Sequence, residues 1–131
     1  MKEFSRTARI ADFLKMKEAI LFPTGWAAGF GVIKGLVRSE DYIVMDALSH
    51  ASLQTGAYAA TRNISLFRHN DLENCRDRLV RIRNRNPTCG IMIVTEGLFS
   101  MDSDTPDIAG LQALAKEFDA TLMVDVAHDF G

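Results

Sequence analysis

Two kinds of segment alternate along this chain, and that alternation most limits what it can fold into. Short apolar runs, often β-branched, lie at residues 19–22, 42–45, 64–67, 91–95 and 121–124. Runs with helical spacing separate them, at 26–37, 52–61, 72–84 and 108–118, and a leading helix is expected over 8–15. Apolar runs of this length suit strands buried on both faces. Strands alternating with helices predict an α/β fold, a three-layer α/β/α arrangement around a mostly parallel sheet. The stretch LENCRDRLVRIRNRN shows the helical period: Leu72, Leu79 and Ile82 share a stripe with Cys75 close to it. Its arginines fall mostly elsewhere, as on a solvated face. Asp107 stands where it can cap the helix that follows.

Composition excludes several functions. The 131 residues predict one domain, and 47% hydrophobic with 24% charged residues is ordinary for a globular protein. A net charge of -2 gives no basic excess for nucleic acid. No apolar run approaches the roughly 20 residues that span a bilayer. The N-terminal MKEFSRTARIADF lacks the apolar core of a secretion signal, so a cytoplasmic location is expected. Cys75 and Cys89 lack C-x-x-C spacing and are expected as thiols in a reducing compartment. The three histidines lie far apart, and MDSDTPD lacks the glycine and later glutamate of a calcium loop, so no metal site is expected.

In parallel sheets, ligands bind beyond the carboxyl ends of the strands. The polar residues gather there, at 24–25, 46–50, 68–70, 96–102 and 125–128. In ILFPTGWAAGFGVIKG, an apolar run enters a glycine turn and a helical run leaves it. Its TGWAAGFG fits T-G-x-x-x-G-x-G, the glycine pattern of short-chain dehydrogenases. Glycines let a backbone approach a phosphate, and a helix start offers free N–H groups. Three readings stay open: a dinucleotide turn, a turn for another phosphate, and a tight turn whose glycines serve packing. Asp46, about 20 residues on, suits a ribose-holding acid. Dehydrogenase chemistry also needs a lysine four residues after a tyrosine, but Tyr42 and Tyr58 are followed there by Asp46 and Arg62. Trp26 is bulky for a turn that must admit a pyrophosphate.

Three further stretches bear on the choice: DALSHASL, VTEGLFSMDSDTPD and LMVDVAHDFG. In this order and spacing, with FPTGW ahead of them, they resemble the α-oxoamine synthase family. These are fold-type-I enzymes that use pyridoxal 5′-phosphate (PLP). The resemblance runs from about residue 8 to the end of the chain. It implies that Thr24, Gly25 and Trp26 hold the cofactor phosphate. Asp125 would sit beside the pyridine nitrogen, His50 would stack over the ring, and His128 and Ser100 would lie near the phenolic oxygen. The implied catalytic set is His50, Asp125 and His128. Glu96 is expected to support the site by hydrogen bonding, and His69 to be structural. Gly29 and Gly31 would let their helix pack closely against the sheet.

The resemblance further implies a PLP-dependent acyltransferase that condenses an amino acid with an acyl-CoA thioester, as a homodimer. The alternatives are another fold-type-I enzyme such as an aminotransferase, a non-catalytic PLP-binding remnant, and an NAD(P)-binding dehydrogenase-like domain. No lysine follows Asp125, whereas the family's Schiff-base lysine lies well beyond that motif. The chain is therefore expected to be part of the PLP-binding large domain. The N-terminal arm, catalytic-lysine segment and C-terminal small domain would lie outside it, and turnover by this chain alone is doubtful. Val126, Asp129-Phe130, Ser103 and Gly29 depart from the commonest family residues, which leaves the choice of subfamily open. Sheet edges left unpaired in so short a piece predict poor stability in isolation.

Overall fold

The computed structural model describes residues 2–97 and 106–126, with side chains described from Thr7 onward. The elements run α1 (Lys2–Phe13), α2 (Gly25–Leu36), β1 (Tyr42–Asp46), α3 (Ala51–Ala60), β2 (Ile64–Phe67), α4 (Leu72–Arg85), β3 (Ile91–Glu96), α5 (Ile108–Glu117) and β4 (Thr121–Asp125). The strands form one parallel sheet in the order β2-β1-β3-β4. Ile43 pairs with Ile64 and Met92, and Ile93 pairs with Leu122.

Alternation along the central strands supplies two cores. Val44 and Ile93 face α4 and α5, packing with Cys75, Leu79, Leu111 and Leu114. Ile43, Met45, Met92 and Val94 face α2 and α3, packing with Ile33, Leu53 and Ala57. Both faces of β1 and β3 are thus covered, which is why those strands read as continuous apolar runs.

Each helix after α1 starts on a side-chain cap. The Thr24 hydroxyl accepts from the Ala27 N–H at 3.0 Å, and Asp71 accepts from Asn74 at 2.9 Å. Asp107 accepts from Gly110 at 2.8 Å, the cap expected of it. Just past the end of α5, Asp119 with a φ of 52° lets the Ala120 N–H reach back to the Ala115 carbonyl at 2.7 Å. Arg83 ties this end together, donating to the carbonyls of Phe118 and Cys89 at 2.9 and 2.7 Å.

One expected strand does not form. Residues 19–22 are irregular, and Ile20 is 79% exposed. Apolar, β-prone composition makes a strand only where a neighbour takes up its backbone N–H and C=O groups. Among the described residues, the sheet offers this run no such neighbour. The direction of α2 therefore comes from α3, not from a preceding strand.

The glycines of α2 also act differently from expectation. A Cβ on Gly29 would lie 2.9 Å from the Ser52 hydroxyl and 3.2 Å from Leu53, both on α3. A Cβ on Gly31 would meet the Phe22 ring at 2.8 Å. So Gly29 serves a helix–helix contact and Gly31 the returning 19–22 segment; neither packs on the sheet. From the other side Gly56 completes the approach, since a Cβ there would lie 3.1 Å from both the Cα and the carbonyl oxygen of Phe30. Near the far end, the Lys34 ammonium donates to the Ala59 carbonyl at 3.2 Å. The two helices therefore lie parallel, N-terminus beside N-terminus.

Gly56→Ala forces a methyl against backbone that cannot rotate away, and should lower stability by about 1–3 kcal/mol. Gly35→Ala on the same helix pair meets nothing within 4 Å. It should raise stability by up to about 1 kcal/mol through helix propensity. Urea unfolding midpoints of the two variants should move in opposite directions.

Candidate functional site at the carboxyl edge of the sheet

β1 leads directly into α3, so the N-terminus of α3 lies at the carboxyl ends of the strands. Parallel packing brings the N-terminus of α2 to the same end. There Gly25 and Trp26 begin a helix with no earlier turn to take up their N–H groups. No acidic side chain occupies the first turn. A Cβ on Gly25 would meet nothing within 4 Å, so the approach to these amides is open. Trp26 stacks on Phe30, with centroids 5.4 Å apart, and stays half exposed.

His50 is the N-cap of α3. Its Nδ1 accepts from the Ser52 N–H at 3.1 Å and lies 2.9 Å from the Ser52 hydroxyl. With Nδ1 accepting, the neutral ring carries its proton on Nε2, and the ring itself is exposed. The His50 main-chain N–H donates to Glu96 Oε2 at 2.9 Å. Glu96 is nearly fully buried at the end of β3. It is the register partner of Asp125 at the end of β4, and the Gly97 N–H closes that corner on the Asp125 carbonyl at 2.7 Å. Alternation puts Glu96 and Asp125 on the face shared by Val94, which is the face of α2 and α3. The structure thus assembles Thr24, Gly25, Trp26, His50, Glu96 and Asp125 along one edge. Ser100 and His128 lie outside the described residues.

Asp46 belongs elsewhere. Fully buried, it shares the face of Val44 and looks toward α4. It accepts from the Leu48 and Asn70 N–H groups at 2.8 and 3.1 Å, and His69 Nδ1 lies 3.1 Å away. A carboxylate so enclosed is closed to a ribose. The strand that a dinucleotide turn requires is absent as well, since 19–22 is irregular. His69 is structural through this contact with Asp46. Ser52 was not singled out by the sequence; the signal was its place two residues after a capping histidine. Among the described residues, no group of three or more His, Cys, Asp or Glu side chains could hold a metal ion, and no helix is long and apolar enough to cross a membrane.

A family model for aminotransferase class I and II matches residues 5–131. The chain belongs to that family. Within the family its relatives are α-oxoamine synthases, as the motifs suggested. An 8-amino-7-oxononanoate synthase of Hydrogenovibrio crunogenus is 39% identical over 122 residues, covering 93% of this chain and 30% of that protein. Serine palmitoyltransferase of Sphingomonas wittichii superposes with a TM-score of 0.91 at 33% identity, over 98% of this chain and 32% of that one. The S. paucimobilis enzyme, solved with a PLP–myriocin aldimine bound, gives 0.88 at 34% identity, over 93% and 30%. The chain spans about a third of the length of these family members. The sheet and its flanking helices are the α/β fold of fold-type-I PLP transferases.

Both cysteines are free, as expected. Burial, reinforced by the charge of Asp46, pushes the Cys75 thiol up to about 12. At pH 8 Cys75 should therefore be inert. A thiol-specific chromophoric reagent should titrate no more than the half-buried Cys89 in the native chain, and two thiols after denaturation.

Proposed function

We propose that this chain is part of the PLP-binding large domain of an α-oxoamine synthase, a transferase that joins an amino acid to an acyl-CoA thioester. The observation that carries the proposal is the convergence, at one sheet edge, of two parallel helix N-termini with the Glu96–Asp125 pair. The residues present fit the cofactor. The open amides of Gly25 and Trp26 suit a phosphate dianion, with no first-turn carboxylate to oppose it. When bound, PLP supplies an electron sink for bonds at the amino acid's α-carbon.

The remaining roles belong to the chain. Asp125 ends a strand, so its carboxylate is rigidly placed to keep a proton on the pyridine nitrogen. His50, held through its own amide by Glu96 and through Nδ1 by Ser52, presents its ring and its Nε2–H to the cofactor and substrate. Ser100 and His128 complete the proposed set near the phenolic oxygen. A homodimer and a cytoplasmic location accompany this reading. The α-oxoamine synthase relatives favour acyl transfer over the aminotransferase alternative.

Trp26 is the chain's one tryptophan, so it reports on the site. PLP should quench its emission saturably, and pyridoxal without the phosphate should do so far more weakly. Gly25→Asp fits the open space and keeps a good helix start, but its carboxylate opposes the phosphate. It should weaken PLP binding by about tenfold or more. Saturable quenching by NADPH and none by PLP would sink the proposal.

In protein made from the gene together with its flanking coding sequence, free CoA should appear from an acyl-CoA only when an amino acid is present. Conversion of the amino acid to its keto acid without CoA release would identify an aminotransferase instead. In that protein Asp125→Asn should retain PLP and lose on the order of 100-fold in kcat.

A further inference from the structure

The arginines of α4 divide into two sets. Arg76 and Arg83 face α5: Arg76 is 2.7 Å from Glu117, and Arg83 is spent on carbonyls at the helix ends. Arg78, Arg81 and Arg85 face the other way. Together with Arg62, which precedes β2, they line a cleft of about 360 Å³ at the amino ends of β1 and β2. Tyr42 and Ile82 line it too, and no carboxylate does.

Among the described residues, none of these four guanidinium groups has a hydrogen-bond or ion-pair partner. Arg78 Nε is buried and unpartnered. A buried N–H left unpaired costs about 1–3 kcal/mol, and more on a charged group. Four guanidiniums around one cleft also repel one another. A bound anion removes both penalties, and the guanidinium fork matches phosphate oxygens in pairs. The space exceeds what a bare phosphate fills and falls within the range of small-molecule sites. The half-buried Tyr42 offers a planar ring an apolar surface.

We propose that this cleft binds a nucleoside diphosphate, at a site separate from the one at the carboxyl edge. The proposal does not depend on the PLP assignment, because the two sites lie at opposite ends of the strands. It also assigns a purpose to a basic run whose composition alone suggests only a solvated face.

Calorimetric titration with ADP tests it, with inorganic pyrophosphate and adenosine as separate arms. ADP should bind once per chain, more tightly than either part alone. Arg81 and Arg85 are exposed, so Arg81→Gln/Arg85→Gln should keep the native circular dichroism and the PLP quenching of Trp26. The double variant should weaken ADP by about tenfold or more. Absence of ADP binding, unchanged affinity in the double variant, pyrophosphate binding as tightly as ADP, or displacement of ADP by PLP in step with Trp26 quenching would each overturn the assignment.

Discussion

The close parallel approach of α2 to α3 is the contact on which the carboxyl-edge site depends. Gly29 on one helix and Gly56 on the other bring backbone and side chain within a methyl's width of each other. Because the helices run the same way, the partial positive charges of two N-termini gather at one place. Side by side, those aligned dipoles oppose each other, and an anion beside them relieves the opposition. The helix pair is thus a packing solution that also builds the proposed phosphate site. At Gly56, where a Cβ would press on the Phe30 backbone, a larger residue would separate the helices and disperse that charge.

The sheet sorts its acids by the parity of the strand. Asp46, Glu96 and Asp125 all end strands, and all lie at the same edge. Asp46 turns toward α4, where two backbone N–H groups and His69 enclose it. Glu96 and Asp125 turn toward α2 and α3, where one orders the His50 loop and the other stands at the proposed site of the pyridine nitrogen. Three carboxylates of similar appearance in the sequence therefore do different work. One residue of shift in any of the three strands would turn its acid to the opposite face.

The basic helix shows a comparable division. Its apolar stripe of Cys75, Leu79 and Ile82 docks on the sheet and fixes the rotation of the helix. That rotation sends Arg76 and Arg83 to α5 and the remaining arginines to the β2 side. The same spacing of charges thus yields ion pairs and carbonyl anchors on one flank and an unpaired cluster on the other.

Much of this protein was written in its local pattern. Apolar periodicity determined four strands and the helices around them, because burial on two faces or one leaves a direct mark on composition. The motif order around Thr24, His50, Glu96 and Asp125 pointed to the family in a related way: His50 follows β1, and Glu96 and Asp125 end β3 and β4, where chain position and site position coincide. What only the tertiary structure decided were relations between segments distant in the chain. Residues 19–22 have strand composition yet no strand, since backbone hydrogen bonds need a neighbour that composition cannot name. Gly31 packs on Phe22 and Gly56 on the backbone of Phe30, although nothing in their local sequence distinguishes these roles. Which carboxylate is enclosed, which arginine is unpaired and which helix sets the direction of α2 depend on contacts across the sheet, and a one-dimensional period carries no record of those partners.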